Sequence, residues 1–151
     1  MTGSSERNRL YVPAAGSFYD TFGPLSHTLI RVALGAILIP HGFGKLFLAD
    51  AVPTSRNFVM FGWAYPLAWA YFIGVVEFFG GLLLVLGLWT RAAALAVVVQ
   101  MAVICFAVLW PKWWWGQRGM EYALLMGMVA LAIFVRGGGP YALDNRLSKT
   151  F

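Results

Sequence analysis

Four apolar blocks, at about residues 29 to 48, 66 to 88, 92 to 110 and 120 to 135, constrain this chain more than any other feature. A hydrocarbon core takes a helix of roughly 20 residues, with a lower limit near 17. The first three blocks approach that length, and the fourth lies at the limit. A backbone exposed to lipid must satisfy its own hydrogen bonds, so each block is expected to be a helix. The expected fold is all-α, an integral membrane four-helix bundle. Composition agrees: 60% of the residues are hydrophobic and 11% charged, against roughly 45 to 50% and 25% in soluble domains.

Three segments follow. Residues 1–27 form a polar or interfacial lead, 28–136 the four-helix domain, and 137–151 a glycine-rich tail. The lead has no apolar run of about 7 to 15 residues, so it does not read as a cleavable signal peptide. Its Phe18, Tyr19 and Phe22 read as interfacial anchors. The lone Cys105 excludes an intrachain disulfide.

Basic residues are retained on the cytoplasmic side of a membrane. With four spans, Arg7, Arg9, Arg31, Arg91, Arg136, Arg146 and Lys149 share one side, and Lys45, Arg56, Lys112 and Arg118 the other. That bias predicts both termini in the cytoplasm. The net charge of +5 then belongs to the membrane surface. No motif for nucleic acid, dinucleotide, phosphate loop or metal is present, so the expected partner is the lipid bilayer, with no nucleic acid and no metal.

The connections have distinct characters. AVPTSRNFVMFGWAYP is expected to cover the outer face as a cap, GLWTR is a tight turn between antiparallel neighbours, and PKWWWGQRG carries three tryptophans at interfacial depth. Those tryptophans read first as an aromatic belt and second as a stacking wall, which makes Trp114 a candidate for ligand contact.

Polar residues inside the spans are placed by helical geometry. Arg31, Gly35, Leu38, Gly42 and Lys45 recur at intervals of four and three on one stripe, with His41 beside it. Gly74, Glu77 and Gly81 form a matching stripe, and small residues on facing stripes mark a helix contact. Glu77 is therefore expected to face the bundle, about 16 Å below the outer surface, with His41 about 10 Å down at 1.5 Å per residue. Lys45 lies nearer the surface, and Glu121 enters at comparable depth on the fourth helix. Pro40 frees the carbonyl of Ala36 and is expected to kink the first helix.

These groups could neutralise one another and lock helix order, since interhelical polar contacts are common and worth about 0.6 kcal/mol on average. A mid-membrane ionisable residue nonetheless costs at least about 2.5 to 3.5 kcal/mol on insertion, which favours a function for Glu77. Glu77 and His41 are the candidate proton-handling residues, Lys45, Glu121 and Trp114 the candidate ligand pocket. Gln100 reads as an interhelical hydrogen-bond partner. Arg31, Arg91 and Asp144 are expected to form a structural polar cluster at the inner end, with Asp144 folding back under the bundle to pair with an arginine.

RVALGAILIPHGFGKL, GVVEFFGGLLLVLGLWTRAAAL, GMEYALL and GGGPYALDNRL, in this order and spacing, resemble the DoxX family of small four-helix bacterial membrane proteins. The likeness runs from about residue 29 to 147, and it carries over to Arg31, His41, Lys45, Glu77, Arg91, Glu121 and Asp144. Family members are associated with thiosulfate:quinone oxidoreductase and with thiol, quinone and oxidative-stress handling. The resemblance thus implies a membrane subunit of a redox system that interacts with quinone or handles protons, alongside a soluble or membrane oxidoreductase subunit. It points to a quinone as cofactor, although no cofactor motif accompanies it. The competing expectation is a non-catalytic anchor or scaffold that docks a soluble redox partner. A pocket reaching Glu77 would favour the first, and a filled core the second.

Overall fold

The computed structural model describes residues 10–12, 14–117 and 119–149. Arg7, Arg9 and Arg118, which enter the charge count above, lie outside the described residues. The described residues form helices and turns, with no strand among them. Helix α1 spans Ala15–Phe47, α2 Ala51–Met60, α3 Pro66–Leu86, α4 Thr90–Val103 and α5 Glu121–Arg136. Beyond Val103, Ile104–Leu109 continues α4 in wider π-helical geometry.

Three helices are long and apolar enough to cross a membrane: Ala15–Phe47 with 33 residues, Pro66–Leu86 with 21 and Thr90–Leu109 with 20. The fourth apolar block yields α5, only 16 residues long, about 24 Å at helical rise. It ends where Gly137 takes a φ of +83°, a conformation that favours glycine.

The first helix differs from the sequence reading at its start. It begins at Ala15, inside the segment expected to be a lead, and runs unbroken through Pro24 and Pro40. The polar side chains of that segment turn back on the helix rather than breaking it: the Thr21 hydroxyl donates to Ser17 O at 2.8 Å and that of Ser26 to Gly23 O at 2.7 Å. Phe18 and Phe22 stack one turn apart, their centroids separated by 4.7 Å. The connection expected to be a cap contains α2, which packs mainly on α3. Phe58 and Ala70 are buried there, with Trp63 against them.

The core lies where α1, α3, α4 and α5 converge, on Leu34, Leu38, Leu84, Val97, Ala130 and Ile133. Helix α1 packs chiefly on α3, and α4 chiefly on α5. Large apolar side chains point the other way: Phe72, Phe79, Val99, Phe106 and Leu125 are exposed on the helix surfaces. An aqueous protein avoids such a surface, whereas a bilayer provides its solvent.

Candidate functional site

Glycine makes the α1–α3 contact possible. A Cβ on Gly35 would meet Val85 at 2.9 Å, and one on Gly81 would lie 2.8 Å from Gly35 O. One on Gly42 would strike the Phe78 amide nitrogen and lie 2.7 Å from Gly74 O. The two backbones therefore touch along two turns, and Gly74 leaves room for the stem of Lys45, whose Cβ lies 2.9 Å from the Cβ position.

That approach brings Lys45 down to Glu77. The ammonium donates to Glu77 Oε2 at 2.6 Å, with the two side chains 13% and 7% exposed, and to His41 O at 3.3 Å. From α4, the amide nitrogen of Gln100 donates to Glu77 Oε1 at 2.8 Å. One carboxylate thus joins three helices, α1, α3 and α4. A carboxylate held by a lysine only accepts hydrogen bonds, and this fixes the orientation of the Gln100 amide. Gln100 Oε1 is left buried with no hydrogen-bond partner among the described residues.

Gln100 also lines an apolar groove of about 570 Å³ between α3 and α4, beneath the α2 cap. Phe58, Trp63, Trp69, Phe72 and Val99 form much of its wall. Trp63 packs at a tilt on Phe58 and edge-to-face on Trp69, with centroids 5.2 and 5.3 Å apart. Gln100 supplies the one side-chain hydrogen-bond acceptor among the lining residues.

The other expected site residues stand apart from this triad. His41 is exposed on the surface of α1, and its carbonyl rather than its ring meets Lys45. Glu121 opens α5, its amide bonded to Trp113 O at 3.2 Å. Trp114 is 64% exposed. None of the three lines the groove.

At the opposite end, Arg31 and Asp144 flank the turn between α3 and α4. Arg31 is 1% exposed. Its guanidinium donates to Leu84 O, to Val85 O at 3.1 Å and to Tyr141 O at 3.3 Å. A cation thus sits on the carbonyl end of α3, where the helix dipole favours it. Asp144 folds back under the bundle, and its carboxylate accepts from the amides of Trp89 at 2.6 Å and Thr90 at 3.0 Å, capping α4 from 54 residues away. Arg91 approaches Val135 O at 3.4 Å. The sequence reading passed over His27, which is buried and sits 2.7 Å from Gly137 O through Nε2. His27 and Arg31 are one turn apart, and that spacing beside a glycine-rich tail was the available signal.

The fold and this site define a small helical membrane protein whose apolar bundle holds a buried ion pair. The chain belongs to the DoxX family, whose sequence model matches residues 26–110. It is 31% identical over 140 residues to an uncharacterized membrane protein of Mycobacterium tuberculosis, covering 84% of each chain. It is 30% identical over 138 residues to an uncharacterized protein of Haemophilus influenzae, covering 86% of this chain and 96% of the relative. No solved structure shows a significant match.

Proposed function

We propose that the protein is a quinone-interacting, proton-handling subunit of a membrane redox system. One observation carries this reading: the apolar groove is lined by Gln100, which is hydrogen-bonded to Glu77, itself paired with Lys45. The groove suits an isoprenoid tail, and the unpaired Gln100 carbonyl suits a hydroxyl donor such as a quinol head, since a buried acceptor left alone costs about 1 to 3 kcal/mol. Glu77, one hydrogen bond further, is the group placed to take up a proton, with Lys45 stabilising the carboxylate. His41 and Glu121 belong in this reading to the outer rim, on a proton path to the surface, and Trp114 to the aromatic belt beside them. Electrons pass to a soluble or membrane oxidoreductase partner. In this reading both termini are cytoplasmic, as the bias of basic residues supports, and the bundle lies in a bacterial inner membrane, as the family supports.

A second reading is supported by the same carboxylate. Both oxygens of Glu77 are satisfied, as they would be in a polar lock of a non-catalytic anchor that docks a redox partner. Lipid extraction from protein purified in mild detergent separates the two. Quinone identified by mass is expected with the natural chain and should fall about tenfold in Val99→Trp, which fills the groove. Equal quinone in both proteins, or none in either, would leave the anchor reading standing.

A further inference from the structure

The end of the bundle opposite the α2 cap holds a second cavity, unrelated to the Glu77 triad. A cleft of about 590 Å³ opens between the start of α4 and the end of α5, lined by Arg91, Arg136, the glycine run 137–139, Asp144, Asn145 and Ser148. Arg91 stands in the first turn of α4 and Arg136 closes α5, so two guanidiniums from different helices meet one cleft. Its acid is already engaged: both oxygens of Asp144 accept backbone amides of the α4 cap. The amide nitrogen of Asn145 is likewise spent on the carbonyls of Gly139 and Pro140, 2.9 Å from each. The two arginines are both exposed, and they leave the cleft an excess of positive charge at the level where apolar helices end. That level is the headgroup region of a bilayer.

An independent feature points to the class of anion. A furrow of about 250 Å³ runs in the seam between α4 and α5, lined by Val98, Met101, Cys105, Gly127 and Leu131 among others, all apolar or weakly polar. Arg91, Val98 and Cys105 are spaced seven apart, so they share one stripe of α4. The furrow therefore begins about 10 Å deeper than Arg91 and continues to about 21 Å, the depths occupied by an acyl chain. A soluble phosphate would use only the cleft, whereas a phospholipid would use both.

We propose that the Arg91–Arg136 cleft binds the headgroup of an anionic phospholipid, with one acyl chain laid in the α4–α5 furrow. Basic pockets between membrane helices serve such headgroups, at about 1 kcal/mol per basic residue near the surface.

The test is native mass spectrometry of the full chain in mild detergent, titrated in separate arms with phosphatidylglycerol, phosphatidylcholine of the same acyl chains, and inorganic phosphate. Phosphatidylglycerol is expected to stay bound where phosphatidylcholine and phosphate do not. Arg136→Gln, at an exposed helix end, should weaken it about fivefold, and Arg91→Gln with Arg136→Gln about twentyfold or more. Ala102 also lines the furrow, so Ala102→Trp, which blocks it but keeps both arginines, should weaken binding as well. Circular dichroism and thermal unfolding of each variant confirm that it is folded before its affinity is read, and Arg136→Gln alone suffices if the others are not. Phosphatidylcholine binding as tightly, phosphate displacing the lipid at equal concentration, or undiminished affinity in folded Arg136→Gln would each overturn the proposal.

Discussion

Glu77 and Lys45 form a pair whose members depend on each other more than the bundle depends on the pair. Removing one partner of a buried ion pair costs about 3 to 5 kcal/mol, while replacing both by apolar residues is often neutral. Glu77→Gln should therefore lower thermal stability in detergent markedly, tempered by the 13% exposure of Lys45, because a long lysine can swing its charge toward the surface. Glu77→Gln combined with Lys45→Met should recover most of that stability. If the double variant is as stable as the natural protein yet fails to complement a deletion strain under sulfur or quinone stress, the carboxylate acts in chemistry. Full complementation would return it to scaffolding. Asp144 gives a smaller residue-scale effect. Asp144→Ala removes both acceptors from the amides of Trp89 and Thr90, and a lost cap costs about 0.5 to 2 kcal/mol. Faster amide exchange confined to the start of α4 is the measurement, and unchanged protection there would show that the cap contributes nothing.

At the scale of elements, the α1–α3 contact is the joint on which the site depends. Gly42 has no space for a methyl group: its Cβ would meet backbone atoms of Phe78 and Gly74, which cannot swing aside. Gly42→Ala is expected to cost roughly 1 to 3 kcal/mol by overpacking, and to lengthen the Lys45–Glu77 contact with it. Gly23 lies on the same helix with nothing within 4 Å of its Cβ position. Gly23→Ala should be neutral or should stabilise by up to about 1 kcal/mol through helix propensity. Thermal unfolding of the two variants side by side tests the contrast. Equal midpoints would mean that α1 and α3 are further apart than described.

For the whole molecule, the docked tail shows which helix ends meet. His27 and Arg31 on α1 contact Gly137 and Tyr141 beyond α5, so α5 returns the chain to the end of the bundle that these residues occupy. An α5 of 16 residues thus brings the chain back to the end of the bundle where the α3–α4 turn lies. The expected outcome is that Ser55→Cys reacts with a membrane-impermeant thiol reagent in intact cells, and Ser148→Cys only after lysis. Labelling of Ser148→Cys from outside, with Ser55→Cys protected, would invert the orientation.

What was legible in the sequence was local. Lipid removes water as a hydrogen-bonding partner, so the length of an apolar block dictates a helix wherever it occurs, and the glycine stripes on α1 and α3 announced that Glu77 faces inward. Which group meets Glu77 was not local. His41 and Lys45 lie four residues apart, about 6 Å along the axis, and only the axial offset of α1 against α3, determined where Gly35 meets Gly81 and Gly42 meets Gly74, gives the contact to Lys45. The groove at Gln100 likewise arises from the packing of α3, α4 and α2 together, and no one segment encodes its shape. Asp144 was expected under the bundle because it shares the inner end with Arg31 and Arg91, but its hydrogen bonds to the Trp89 and Thr90 amides followed from the neighbouring helix N-terminus. Four unpaired donors there need acceptors, while Arg31 is already engaged by the carbonyls of α3.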